Sequence, residues 1–151
     1  MFSDIFAELA LSHVSQIVEQ GSPIVQILLQ LQQLPEANIS AQTPFWKDLF
    51  RTISKINRPE QKQAKLQQFE SIVLTLLQII LKRSKLEEHL FLELNKTPVR
   101  DTCFDDIQKL RRDVSSLIKS ICNCCGPSAI FTFFSQGLKE AVEKLKLSES
   151  V

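Results

Sequence analysis

A recurring combination of a helix-start signal and an amphipathic run constrains the fold of this chain most. Two such runs carry apolar residues three or four positions apart, the spacing of one face of an α-helix. They are Phe45, Trp46, Leu49, Phe50, Ile53 and Ile56 after Thr43-Pro44, and Ile24, Ile27, Leu28, Leu31 and Leu34 after Ser22-Pro23. A Ser or Thr side chain accepts a hydrogen bond from the first turn, and Pro there has no N–H to leave unbonded. The segments between the runs lack strand alternation, so the sequence predicts an all-α fold.

Six helices follow from these runs and from the breaks between them. The predicted helices are residues 3–19, 23–34, 44–57, 59–83, 102–124 and 128–147. The fifth begins with a capping-box spacing of Thr102 and Asp105 and ends at Gly126-Pro127. Residues 35–43 are predicted as a loop because they show no apolar period. Residues 85–94 are left open between a short extra helix and an extension of the fourth, and a break of the sixth helix near Gly137 is left open as well.

Short connections between amphipathic helices favour packing of each helix against the next. We therefore predict three antiparallel pairs, formed by the first and second, third and fourth, and fifth and sixth helices. The pairs start near Ser3, Thr43 and Thr102, about 40 and about 59 residues apart, and the first interval matches HEAT and armadillo units. Stacked pairs bury a continuous core. The expected fold is an α-α superhelix, a HEAT/armadillo-like solenoid forming one domain over residues 1–151, with approximate repeats 1–40, 41–96 and 97–151.

The large apolar side chains divide into a predicted core and predicted ends. Those expected in the core are Trp46, Phe50, Phe69, Phe104, Phe131 and Phe134. The first helix has an apolar side that is expected to need a preceding repeat, formed by Phe2, Ile5, Phe6 and Leu9. The last helix is expected to be polar enough to cap the array, because it carries Lys139, Glu140, Glu143, Lys144 and Lys146.

Composition argues against nucleic-acid and membrane partners. The formal net charge is +1, which gives no long-range field toward phosphate backbones or anionic lipids. The longest strongly apolar stretch, residues 72–81, is about half of the roughly 20 residues that span a bilayer. The four cysteines accompany no visible secretion signal and are expected to be free thiols. We predict no direct nucleic-acid binding and no membrane insertion.

The sequence contains no recognisable reactive motif. It has no Gly-rich phosphate loop, no GxSxG elbow and no HExxH motif. His13 and His89 have no suggestive neighbours, and the cluster Cys122, Cys124 and Cys125 lacks a second ligand pair at zinc spacing. We predict that the protein is not an enzyme and has no catalytic, cofactor, metal or small-molecule site. No partner-binding residue is assigned.

Two groups of charged residues have local explanations. The basic run Lys82, Arg83 and Lys85 is placed at a helix C-terminus, where cations interact favourably with the helix dipole; contact with phosphate or an acidic partner is the alternative. The fifth helix mixes both signs at helical spacing, which predicts i,i+4 ion pairs. The residues concerned are Lys109, Arg111 and Arg112 with Asp105, Asp106 and Asp113.

Several segments together resemble a known family. They are the stretch 104–121 (FDDIQKLRRDVSSLIKSI), residues 125–131 (CGPSAIF), residues 138–140 (LKE), residues 5–9 (IFAEL) and residues 45–49 (FWKDL). In their order along the chain they resemble helices of nuclear transport receptors of the importin-β superfamily, in the branch of transportin-SR and importin thirteen. The resemblance covers most of the chain and corresponds to about three HEAT repeats.

The resemblance implies a function in protein import into the nucleus. Such receptors are long HEAT superhelices that bind cargo, the Phe-Gly repeats of nucleoporins and the GTPase Ran, and that shuttle between nucleus and cytoplasm. It therefore implies that this chain is a segment of such a receptor, acting by non-covalent protein binding. The N-terminal repeats that bind Ran and the later cargo region lie outside the matched part, so no individual binding residue is carried over. The alternative is a stand-alone α-helical scaffold or adaptor without a transport role.

Overall fold

A computed structural model describes the backbone of residues 2–21, 23–34, 39–94 and 101–149 and the side chains of residues 4–21, 23–34, 39–83, 105 and 108–147. Within these ranges the chain is 92% helical, with seven helices and no strand, which confirms the all-α prediction. The helices are α1 (Phe2–Ser12), α2 (Val14–Gln20), α3 (Ile24–Gln33), α4 (Ile39–Ser54), α5 (Pro59–Leu94), α6 (Asp101–Cys125) and α7 (Pro127–Glu149).

The predicted first helix is interrupted at His13. The Ser12 hydroxyl donates to the Leu9 carbonyl at 2.8 Å and the His13 N–H donates to the Ala10 carbonyl at 3.1 Å. These bonds to the third residue back tighten the last turn and end α1. α2 then ends at Gly21, whose φ of +64° suits a residue without Cβ. Gly126, with φ +90°, ends α6 in the same way, as predicted.

α4 begins five residues earlier than predicted, at Ile39. The Thr43 hydroxyl donates back to the Ile39 carbonyl at 2.9 Å, and Pro44 lies inside the helix. The predicted start at Thr43-Pro44 is therefore wrong, as is a loop over residues 39–43; residues 35–38 lie outside the described residues. Ile39, Gln42 and Thr43 are buried, so packing outweighs the N–H that Pro44 lacks.

α5 and α7 are longer than their predicted counterparts. α5 runs without interruption from Pro59 to Leu94, so residues 85–94 extend the fourth predicted helix. The basic run at Lys82 therefore lies within the helix, and its explanation by a helix C-terminus is wrong. α7 continues through Gly137. The predicted capping box of α6 depends on Thr102, whose side chain lies outside the described ones.

α4 occupies the centre of the packed core. It contacts α1, α2, α5 and α6, and its large buried side chains include Phe45, Trp46, Leu49, Phe50 and Ile53. Trp46, Phe50 and Phe69 are fully buried as predicted, and Phe134 is half-buried against the core. Phe131 is 74% exposed, so its assignment to the core is wrong, and the side chain of Phe104 lies outside the described ones.

The most extensive contact between helices joins α4 and α6, and the next joins α1 and α4. Smaller contacts join α1 with α3, α4 with α5, and α6 with α7, the helices that were expected to form pairs. In addition, α3 contacts α5. Leu81 of α5 lies against Gly137 of α7. α5 is therefore flanked by α3 on one side and by α7 on the other.

One stretch in the described part of the chain, Pro59–Arg83 of α5, is long and apolar enough to cross a membrane by length and composition alone. Much of its apolar content is packed against other helices, including Phe69, Leu76 and Ile80. A helix buried in the core of a folded domain can have the same length and apolar composition. Its outer side exposes the amides of Gln67 and Gln78, which lipid would leave without hydrogen bonds. These observations favour a core helix.

Candidate interaction surface

The outer side of α5 presents a continuous polar line with one large apolar residue in it. We call this line the α5 stripe; its members, all exposed, are Gln63, Gln67, Glu70, Ser71, Leu74, Gln78 and Lys82. Their three- and four-residue steps place them on one face, opposite the buried residues Phe69, Leu76 and Ile80. At 1.5 Å per residue the stripe is about 28 Å long.

A first groove borders the stripe where α5 meets α3. It has a volume of about 540 Å³ and includes Gln32 and Gln33 of α3 and Gln78, Lys82 and Arg83 of α5. Its polar lining combines amides, which donate and accept hydrogen bonds, with two cations. Such a lining suits polar backbone groups and carboxylates.

Arg83 joins the two walls of this groove. Its Nη2 donates to the carbonyl of Leu34 and, at 3.4 Å, to the carbonyl of Gln32. These are carbonyls at the C-terminus of α3, where a helix lacks internal donors and carries partial negative charge. Lys65 plays a comparable role further along α5, donating to the Glu19 carbonyl at the end of α2 at 3.0 Å. Two cations of α5 thus cap two earlier helices.

Replacing Arg83 with Ala is expected to lower the free energy of unfolding by about 1–2 kcal/mol, because carbonyls of α3 lose a charged donor. Arg83→Lys should recover part of that loss, since it keeps the charge but not the planar fork. Urea titration followed by circular dichroism measures both variants. The adjacent exposed residue supplies the control: Lys82→Ala should change stability by less than about 0.5 kcal/mol. Equal effects at the two positions would contradict the cap.

A second groove borders the stripe where α5 meets α7. It has a volume of about 420 Å³, and its lining includes exposed Gln67, Glu70 and Leu74 and buried Leu77 and Ile130. Apolar residues form most of this lining, including Leu66 and Val73, whereas Ile79 is the one apolar residue among the described residues that line the first groove. A segment lying along the α5 stripe would therefore meet polar groups on one side and an apolar recess on the other.

The cysteine cluster lies at the end of α6 beside the second groove. Cys122, Cys124 and Cys125 are free thiols, as predicted, with Cys124 buried and the other two half-buried. A hydrogen bond from Cys124 lowers the pKa of the Cys125 thiol, an effect that the charge of Lys62 reinforces and burial opposes. The same hydrogen bond, together with burial, raises the pKa of Cys124. Cys125 lines the second groove and is the thiol with the lowered pKa, while its neighbour Cys124 retains its own proton.

Two glutamines, Gln32 of α3 and Gln42 of α4, are buried in the core. Gln32 accepts a hydrogen bond from the indole Nε1 of Trp46 at 3.1 Å, which links the first groove to the core. Gln42 is fully buried, and both polar atoms of its side chain lack a partner among the described residues. The oxygen of Gln32 thus has a partner, while its Nε2, like both polar atoms of Gln42, has none among the described residues.

The other charged and titratable residues do not assemble into a reactive centre in the described ranges. No three His, Cys, Asp or Glu side chains come together there as metal ligands would. His13 lies beside the Ser12 hydroxyl at 2.9 Å, and the side chain of His89 is outside the described ones. On α6, Arg112 donates to the amide oxygen of Gln108 at 3.1 Å.

Comparison of the chain with protein-family models, curated proteins and solved structures finds no match. The α5 stripe is the surface that the two grooves described above border, one beside residues 75–83 and the other beside residues 63–77.

Proposed function

We propose that the chain is a protein-binding segment of an α-solenoid, and that it holds an extended polypeptide along the α5 stripe. The observation that carries this proposal is a line of exposed amides bordered by two grooves. A Gln side chain offers both a donor and an acceptor, so it matches the alternating N–H and C=O groups of an extended backbone. Leu74, 44% exposed near the centre of the stripe, supplies an apolar contact.

The solenoid part of the proposal is supported by which helices touch. The pairs α1–α3, α4–α5 and α6–α7 are in contact, and so are the first members of successive pairs, α1 with α4 and α4 with α6. Stacked helix pairs produce this pattern because each pair packs against its neighbours. In such a stack α5 is the second helix of the middle pair, and its outer side lies between α3 and α7.

Charges on the stripe define the peptide that fits it. Glu70 and Lys82 are twelve positions apart, about 18 Å along a helix, with Leu74 about 6 Å from Glu70. An extended peptide advances about 3.3 Å per residue. A matching ligand has a basic residue for Glu70, an apolar residue about two positions away for Leu74, and an acidic residue about four positions beyond for Lys82.

A peptide library of random 12-residue sequences displayed on phage tests this proposal. Selection on the purified chain should enrich the basic–apolar–acidic spacing, in either chain direction. Leu74→Asp should weaken binding of a selected peptide more than about tenfold, because it removes the central apolar contact. The double variant Gln67→Ala/Gln78→Ala should weaken it about five- to tenfold through lost hydrogen bonds.

A matched control comes from α3. Gln26 and Gln30 are exposed glutamines that line neither groove, so Gln26→Ala/Gln30→Ala should leave peptide binding unchanged. Failure to enrich any motif, or equal losses in the stripe variants and the control, would refute binding at the stripe.

The finer proposal, from the sequence resemblance, is that this binding serves nuclear transport as a segment of an importin-β-like receptor. Its support is the ordered likeness of residues 5–9, 45–49 and 104–121 to receptor helices. Phe45 and Trp46 of that likeness are core residues, so any contact with partners would come from elsewhere. The test is binding to Phe-Gly repeat peptides and to Ran loaded with a non-hydrolysable GTP analogue. Peptide binding at the stripe without either would favour a scaffold or adaptor.

A further inference from the structure

Two apolar faces near the beginning and the end of the chain are exposed in the described structure. The leading face consists of exposed Ile5 and Leu9 of α1 and Ile27 of α3, with half-buried Ile24 at its edge, and the trailing stripe consists of exposed Phe131, Leu138, Val142 and Leu145 of α7. Exposure is 60% at Ile5 and 54% at Leu9, and 74% at Phe131 and 67% at Leu138. These values are far above those of core residues, so both faces are open to a partner.

The leading face is formed by the first helix pair. Leu9 and Ile24 line a common depression of about 200 Å³, so the α1 and α3 parts are contiguous. Ile27 lies on the same side of α3 as Ile24, while the buried side carries Leu28 and other residues. Glu8 is exposed beside Ile5 and Leu9, and the first 46 residues contain no Lys or Arg. The flank of this face is therefore acidic.

The trailing stripe follows one side of α7. Its members are spaced by seven, four and three residues, which keeps them in line along the helix. Its exposed edge carries Lys139 and Lys146, while Glu140 and Glu143 lie further around the helix. The predicted polar cap is thus wrong on this side: α7 carries an apolar stripe with a basic edge.

We propose that the trailing stripe of one copy of this chain binds the leading face of a second copy, head to tail. Apolar side chains on both faces would leave water together, and Glu8 would meet the basic edge that includes Lys139. Pairing two leading faces would oppose acidic residues, and pairing two trailing stripes would oppose lysines. Charge therefore selects the head-to-tail contact, which does not close on itself and extends into longer assemblies.

Sedimentation velocity of the purified chain over about 5–200 µM tests this, since contacts of modest affinity form in that range. The average mass should rise above the 17.2 kDa of one chain and pass beyond that of a dimer. Two surface variants block one face each: Leu9→Glu on the leading face and Leu138→Lys on the trailing stripe. Each alone should remain monomeric. Mixed together they should form a complex of two chains, about 34 kDa, that grows no further.

Reversal of the charges provides a second, independent readout. Glu8→Lys and Lys139→Glu should each weaken association about three- to tenfold, and the double variant should recover it. High salt should also weaken association of the wild type, because dissolved ions screen the attraction between Glu8 and Lys139. A chain that stays monomeric up to 200 µM overturns the proposal, and so does a wild type whose mass stops at that of a dimer or a dimer formed by either blocked variant alone. Peptide binding by Leu138→Lys should be unchanged, which separates this proposal from the one for the α5 stripe.

Discussion

Replacement of Trp46 by Ala is expected to lower the free energy of unfolding by about 3–5 kcal/mol, the largest effect of any change considered for this chain. Trp46 is fully buried in α4, and its ring meets that of Phe45 edge to face with centroids 5.0 Å apart. Its removal leaves a cavity in the core beside α4, the helix that contacts α1, α2, α5 and α6. Because domains are stable by only about 5–15 kcal/mol, we expect a large unfolded population.

Circular dichroism under urea measures this change, since Trp46 is the one Trp of the sequence and its fluorescence is lost in the variant. Trp46→Phe retains most of the ring but leaves Gln32 without its donor, so it should cost less, about 1–3 kcal/mol. Phe131→Ala is the control, because Phe131 has the spacing of a core residue but is exposed. A cost above about 1 kcal/mol for Phe131→Ala, or below it for Trp46→Ala, would contradict the described core.

The sequence predicts the helices well because apolar spacing is a local property. The runs around Trp46 and Phe69 identify α4 and α5 and their buried sides correctly. The same spacing does not say whether the partner of an apolar side lies in the same chain. Ile27 and Leu138 belong to regular apolar runs and are nevertheless exposed. Periodicity thus predicts that a helix is amphipathic, and only the arrangement of all helices shows which apolar sides are covered.

Positions that depend on distant residues escaped prediction. Arg83 caps α3 by donating to the carbonyl of Leu34, 49 positions earlier, and no local signal announces that contact. Thr43-Pro44 has the form of a helix start, yet packing of Ile39 begins the helix earlier. The α5 stripe could have been found as the polar side of a long helix, but the two grooves beside it depend on where α3 and α7 lie.

Substitution of two buried glutamines by Met is expected to change stability in opposite directions. Met has a similar length and shape but no amide. Gln42→Met should raise the free energy of unfolding by about 1–2 kcal/mol, because both polar atoms of Gln42 are buried without a partner among the described residues. Gln32→Met should lower it by about 1–2 kcal/mol, because the buried indole N–H of Trp46 loses its acceptor, and removal of the unpartnered Nε2 of Gln32 offsets only part of that loss.

The sign of each change is the informative result, since both substitutions insert the same side chain into the same core. Urea titration of the two variants and the wild type measures the sign of each change in the free energy of unfolding. If hydrophobicity alone determined the outcome, both variants would gain stability. If Gln42→Met instead loses stability, the Gln42 amide is held by a group such as a buried water molecule, which polar cavities retain when they offer several partners. The double variant Gln32→Met/Gln42→Met shows whether the two sites act independently, because independent changes in stability should add within about 0.5 kcal/mol.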